Sequence, residues 1–148
     1  MCGINGLISK NHLEEKDIDM TLRLMNTEII HRGPDQDGYF TEKNQNFSVG
    51  MAMQRLSIID LSTGKQPIFS ADGQKVIVFN GEIYNYRKVK QEHLGDYNFK
   101  TQSDTEVILA LYEKYGVDSF SMLDGMFAFS IYDKTKNKVY IARDFFGE

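Results

Sequence analysis

The only cysteine of this 148-residue chain stands at position 2, in the opening stretch MCGINGLIS. Removal of Met1 would make Cys2 the first residue, with a thiol and a free α-amine on the same residue. An N-terminal amine is an established base partner for a side-chain nucleophile, so Cys2 could supply both groups. The alternative is a small apolar residue at the start of a strand, and the letters MC alone favour that alternative.

Two further stretches could act on a carbonyl substrate. Arg55, in QRLSII, could bind a substrate carboxylate through two parallel hydrogen bonds, although an exposed ion pair of little energetic value is the alternative. Asn80 and Gly81 follow the apolar run VIVF, and an asparagine amide beside a backbone N–H could stabilise the oxyanion of acyl transfer. Asn-Gly is also a favoured hairpin turn pair, so both interpretations stay open.

Acidic residues offer a partner for an amine. In QSDTE, Ser103 and Glu106 have the spacing of a capping box, and Asp104 in the first turn would favour the helix dipole. The functional alternative is that Asp104, together with Glu82, holds a substrate ammonium group. All four stretches together meet the needs of a free α-amino acid with a cleavable side-chain carbonyl, and glutamine is such a molecule.

The hydrophobic pattern predicts which helices, strands and turns hold these candidate residues. Amphipathic or capped helices are predicted over 13–31, 84–94 and 103–116, and a polar turn over 31–38. Strands are predicted over 2–9, 47–56, 67–80 (two strands around Asp72-Gly73), 126–133 and 138–144. In the strand over 47–56 one face has only small residues, Ser48, Gly50 and Ala52, which permits another layer to approach closely. Two layers of mainly antiparallel sheet with helices outside would bury these faces.

The composition and the absence of certain motifs argue against several classes of function. With 41% hydrophobic residues and a net charge of -4, the chain fits one compact domain and gives no case for binding nucleic acid or an anionic membrane. One cysteine makes no internal disulfide and no apolar run approaches a membrane span, so a cytoplasmic location is expected. The three histidines, His12, His31 and His93, lack metal-ligand spacing, and neither phosphate-binding glycine motif occurs.

Seven stretches, taken in order, carry a resemblance to a known family: MCGINGLI, HRGPDQDGYF, QRLSIIDL, FNGEIYNY, SDTEVIL, LDGMFAFSIYD and ARDFFG. Together they resemble the glutaminase domain of the glutamine-hydrolysing asparagine synthetases and related class II glutamine amidotransferases, which are N-terminal nucleophile hydrolases. The resemblance covers the chain from end to end. It implies an α+β fold built as a four-layer αββα sandwich of antiparallel sheets.

The resemblance also implies a role for each candidate residue. Cys2 would attack the glutamine side-chain amide and form a γ-glutamyl thioester, which water converts to glutamate while the ammonia passes to another active site. The other implied roles are α-carboxylate binding by Arg55 with the backbone around Ile58 and Ile59, oxyanion stabilisation by Asn80 and Gly81, and α-amine binding by Glu82 and Asp104.

The sequence departs from the family pattern in two ways. Family glutaminase domains continue past RDFFG with further strands, and the ATP-dependent synthetase domain with its SGGxDS loop is not in residues 1–148. We therefore expect an incomplete glutaminase domain that needs no cofactor, with ATP and Mg²⁺ belonging only to the synthetase domain or subunit that receives the ammonia. Two alternatives stay open: a non-catalytic remnant that binds glutamine or a partner protein, and a redox-sensing thiol protein.

Overall fold

The computed structural model describes residues 2–56 and 64–147. The chain divides into two compact units, Met1–Ser57 and Ile58–Glu148, each with its own antiparallel sheet. Within the described ranges, no helix combines the length and the apolar character that crossing a membrane requires.

The first unit is a three-stranded sheet covered by one helix. Its elements are β1 (Gly3–Ser9), α1 (Glu15–Glu28), a short 3-10 turn (Ile30–Arg32), β2 (Gln36–Lys43) and β3 (Ser48–Arg55). The strand order is β1-β3-β2, so β3 is central and buried along its whole length. Ile18 and Leu22, one helical turn apart, are fully buried on the inner face of α1 and pack against Ala52.

The prediction that one face of β3 carries small residues to admit a neighbouring layer is confirmed. A methyl group added at Gly50 would lie 2.5 Å from Ile18 Cγ2 and 2.9 Å from Leu22 Cδ1. Gly50 is therefore needed because α1 lies directly on this part of the strand. Across the sheet, Gly50 pairs with Leu7 of β1 and with Thr41 of β2.

The predicted polar turn over 31–38 is only partly correct, because β2 begins at Gln36. Its composition is polar, yet Gly38 and Phe40 are buried on one face and β2 pairs along its full length with β3. Pairing with a buried neighbour outweighs the weak strand propensity of Asp and Gln.

The second unit is a four-stranded sheet in the order β4-β5-β6-β7. Its elements are β4 (Ile68–Phe69), β5 (Lys75–Ile83), α2 (Tyr86–His93), α3 (Asp104–Tyr115), a 3-10 helix (Gly116–Met122), β6 (Gly125–Asp133) and β7 (Lys138–Arg143). The predicted final hairpin, β6 and β7, is confirmed. The main core lies where α3 packs on β5, with Ile77 and Phe79 of the strand in one cluster with Ile108 and Leu109 of the helix.

The start of α3 confirms Ser103 as the N-cap residue but contradicts the predicted capping box between Ser103 and Glu106. The Ser103 hydroxyl accepts a hydrogen bond from the Thr105 N–H at 3.1 Å, as an N-cap residue should. The Glu106 carboxylate does not return to Ser103. It accepts instead from the N–H groups of Lys100 and Thr101, at 2.9 and 2.6 Å, because the chain before the helix folds back toward its first turn.

The far end of α3 is tied to the sheet by a buried polar contact. The Tyr112 hydroxyl donates to Asp133 Oδ2 at 2.7 Å, and the Thr135 hydroxyl donates to the other carboxylate oxygen at 2.6 Å. These hydrogen bonds satisfy a fully buried carboxylate at the end of β6.

We expect Gly50→Ala to lower the free energy of unfolding by about 1 to 3 kcal/mol, because the added methyl group overpacks the contact between β3 and α1. Urea denaturation measures the change. Gly95→Ala is the matched control, since a methyl group there meets no atom within 4 Å. Equal stability of the two variants would contradict a close helix–strand contact at Gly50.

Candidate functional site

The predicted site residues fall into two sets, each within one unit. Cys2 and Arg55 belong to the first unit. Asn80, Gly81, Glu82 and Asp104 belong to the second. Ile58 and Ile59, which the resemblance assigns to substrate binding, lie outside the described residues.

Cys2 lies beside the end of β3 because β1 runs antiparallel to it. Gly3 stands opposite Gln54 in the register, so the residue before Gly3 meets the residues after Gln54. The Leu56 N–H donates to Cys2 Sγ at 3.3 Å. The Cys2 thiol in turn donates to the Leu56 carbonyl oxygen, with 3.6 Å between Sγ and O. The half-buried sulfur is thus held one residue from Arg55, and the sheet explains why a residue at the chain start is ordered.

Arg55 is buried, with 5% of its surface exposed, which contradicts the alternative of an exposed ion pair. Its Nη1 donates to Gln36 Oε1 at 3.4 Å across the β2–β3 pair. A guanidinium presents its N–H donors in a planar fork. This environment suits binding of a planar carboxylate.

Asn80 and Gly81 lie inside β5, so the hairpin-turn interpretation is wrong. They pair with Ala128 and Phe127 of β6 without a break in the register. Gly81 has φ +143°, and a Cβ there would lie 2.1 Å from the Met126 carbonyl oxygen, so no other residue fits.

The Asn80 side chain has a polar atom without a partner. Its Oδ1 is buried, and it accepts no hydrogen bond from the described part of the chain. Buried polar groups are normally paired, so an unpaired one in a folded protein calls for an explanation. A side-chain amide retained for a ligand is one such explanation.

Asp104, the first residue of α3, is 4% exposed and bonded to the end of β5. Its Oδ2 accepts the Ile83 N–H at 3.0 Å. Burial raises the pKa of the Asp104 carboxyl, and the negative charge of nearby Glu82 raises it further, while N–H donors from Ile83 and Thr105 act in the opposite direction. Glu82 itself is exposed. The two carboxyl groups concentrate negative charge, which suits an ammonium ligand.

The sequence did not predict the contact between Leu56 and Cys2 or that between Gln36 and Arg55. The first uses backbone atoms, which leave no residue-type signal. The second depends on the register of two strands, one of which was expected to begin as a turn. Within the described ranges, no group of three or more His, Cys, Asp and Glu residues could hold a metal ion.

The whole chain, residues 1–148, matches the family model described as a glutamine amidotransferase domain. The chain is 46% identical to a glutamine-hydrolysing asparagine synthetase of Bacillus subtilis, over 99% of this chain and 23% of that protein. It is 39% identical to asparagine synthetase B of Escherichia coli, over 99% of this chain and 26% of that protein. The chain therefore spans about a quarter of these relatives, and the resemblance drawn from the motifs is confirmed.

A solved structure, the glutamine phosphoribosylpyrophosphate amidotransferase of B. subtilis, is similar with a TM-score of 0.75 and 21% identity. The match covers 97% of this chain and 37% of that one. At this identity the likeness shows the fold alone, and it confirms the predicted α+β fold class.

We expect Asp104→Asn to raise the free energy of unfolding at neutral pH. The folded state raises the pKa of this carboxyl, so the group stabilises the fold below its unfolded pKa and loses that contribution as pH rises through the folded pKa. A neutral amide still accepts the Ile83 N–H and avoids the buried charge.

Urea denaturation at several pH values measures the difference between variant and wild type, which should shrink as the pH falls and Asp104 protonates. Asp96→Asn, at an exposed position, is the control for the change in net charge. A variant that is less stable than wild type by the same amount at every pH would contradict the assignment.

Proposed function

Because this chain belongs to the glutamine amidotransferase domain family, we propose that it hydrolyses glutamine to glutamate and ammonia through a thioester on Cys2. The observation that carries the proposal is the contact of the Cys2 thiol with the Leu56 backbone, one residue from the buried Arg55. A terminal nucleophile held in this way is pre-organised, which reduces the entropic cost of attack.

The proposed reaction needs the free α-amine of Cys2. The amine takes the thiol proton, and the thiolate attacks the side-chain carbonyl carbon of glutamine to give a tetrahedral oxyanion. The amine then returns the proton to the leaving nitrogen, the carbon–nitrogen bond breaks, and ammonia departs. Water attacks the remaining thioester, which releases glutamate and restores the thiol.

The oxyanion would be stabilised by the Asn80 side-chain amide and the Gly81 N–H. Support comes from the position of Gly81, where a Cβ would collide with the Met126 carbonyl oxygen and only glycine fits, and the Asn80 side chain would contribute through its Nδ2 donor rather than its unpaired Oδ1. Removing one such donor typically raises the barrier by about 2.7 to 4 kcal/mol.

The two charged ends of the amino acid would be recognised by groups of opposite charge. The buried Arg55 guanidinium would bind the α-carboxylate, with the backbone around Ile58 and Ile59 as further partners. Asp104 and Glu82 would bind the α-ammonium group, which would favour the ionised form of Asp104.

The ammonia would serve asparagine synthesis. The relatives of B. subtilis and E. coli are named as glutamine-hydrolysing asparagine synthetases, and this chain spans about a quarter of their length. We propose that a synthetase domain or subunit outside residues 1–148 receives the ammonia and uses ATP, Mg²⁺ and aspartate. The glutaminase reaction itself would require no cofactor.

Cys2→Ala is expected to lower the rate of glutamate release from glutamine by about 10³-fold or more, since no other thiol is present to form the thioester. An enzymatic glutamate assay measures the rate, and the intact mass must show that Met1 is absent, because an attached Met1 locks the Cys2 amine in a peptide bond. Glutamate release by Cys2→Ala at the parental rate would exclude the proposed mechanism. Processed wild-type protein that binds glutamine without turnover would identify the non-catalytic alternative.

Arg55→Lys is expected to raise the KM for glutamine about 10-fold or more, because a lysine cannot form the two parallel hydrogen bonds of a guanidinium. Steady-state kinetics on glutamine measures the change. Arg23→Lys is the matched control, since Arg23 pairs with Asp19 on the exposed face of α1. Equal KM values for the two variants would exclude Arg55 as the carboxylate ligand.

A further inference from the structure

Gln66 is a buried side chain that the proposed reaction does not use. Only 8% of it is exposed, and its amide bonds both backbone groups of Phe79, the residue before Asn80. The Phe79 N–H donates to Gln66 Oε1 at 2.6 Å, and Gln66 Nε2 donates to the Phe79 carbonyl oxygen at 3.1 Å. Nε2 also lies 3.5 Å from the Thr105 hydroxyl, next to Asp104.

These hydrogen bonds continue the β-sheet with a side chain in place of a backbone. Ile68 of β4 stands opposite Ile77 of β5 in this antiparallel pair. If the pairing continued, Gln66, two residues before Ile68, would stand opposite Phe79, two residues after Ile77. Backbone pairing stops earlier, since β4 begins at Ile68. The Gln66 side-chain amide supplies the acceptor and the donor that a backbone pair at this position of the sheet would have supplied.

The same edge of β5 carries the proposed oxyanion donor. The N–H groups of Phe79 and Ile83 donate away from β6, and in a regular antiparallel strand the residue midway between them, Gly81, would direct its N–H to the same side. The Phe79 N–H is taken by Gln66 and the Ile83 N–H by Asp104. The Gly81 N–H lies between these two fixed peptide groups.

We propose that Gln66 is a positioning residue for glutamine hydrolysis, which holds the Phe79 peptide so that the Asn80 amide and the Gly81 N–H face the developing oxyanion. This inference rests on the proposed function. Gln66 makes two hydrogen bonds to Phe79, beside the proposed oxyanion donors, and only one 3.5 Å contact to Thr105, beside the proposed ammonium ligand Asp104. We therefore expect a change at Gln66 to affect the stabilisation of the transition state more than the binding of substrate.

Gln66→Met keeps the length of the side chain and removes every hydrogen bond. Its kcat is expected to fall about 10- to 100-fold with KM changed by less than about 3-fold, because displacing an oxyanion donor costs part of what removing it costs. Tyr112→Phe is the control, since it removes a buried hydrogen bond from α3 at the end remote from Asp104. A folded Gln66→Met variant with the kcat of wild type would overturn the proposal.

Gln66→Glu supplies a rescue that a purely structural role would not show. The ionised carboxylate accepts the Phe79 N–H but repels the Phe79 carbonyl oxygen, whereas the protonated carboxyl both accepts and donates. Burial raises the pKa of the introduced carboxyl. The ratio of variant to wild-type kcat is therefore expected to rise as the pH falls, and a ratio independent of pH would overturn the proposal.

Backbone NMR of the full chain separates this proposal from the proposed function. Gln66→Met is expected to shift the amide signals of Asn80 and Gly81 and to speed their hydrogen exchange, while Tyr112→Phe leaves them unchanged. This result is independent of turnover. A wild-type protein without glutaminase activity would overturn the proposed function, and unmoved Asn80 and Gly81 signals would overturn the positioning role.

Discussion

Among the residues that the structure describes, β5 has a strand on both sides only as far as β4 reaches, and its last residues pair with a strand on one side alone. A buried backbone N–H without a partner costs about 1 to 3 kcal/mol, so the open edge must be satisfied by other groups. The Gln66 amide meets this need at Phe79 and the Asp104 carboxylate meets it at Ile83. The proposed oxyanion donor, Gly81, lies between them. The local chemistry of the second unit follows from where one short strand ends.

The elements that could be predicted from the sequence are those whose own pattern is strong. Ile18 and Leu22 mark the buried face of α1, and the final hairpin alternates around a polar turn. β2 was predicted only as part of a turn, since its residues favour strand structure only when β3 lies beside them. The same reason explains Glu106, whose partners are set by the path of the chain before α3.

For the site, the sequence predicted residue types better than it predicted their surroundings. Arg55 had an exposed alternative and Asn80-Gly81 a turn alternative, and both were decided by burial and strand register, which are tertiary properties. Gln66 gave no signal at all. Beside a proline at the start of a two-residue strand it is typical of a loop, and its importance arises from the position of Phe79 across the sheet.

Asp104 is the residue whose type the fold itself explains least. The capping need of α3 is met by the Ser103 hydroxyl, and an uncharged amide could equally accept the Ile83 N–H. The fold instead buries a carboxyl whose pKa it raises, so the ionised form is held at a cost to stability. Residues that work against stability are concentrated where function selects them. A cationic group bound beside Asp104 would offset that cost, because an opposite charge favours the ionised carboxylate. The burial and raised pKa of Asp104 therefore support the proposal that an amino acid ammonium group binds there.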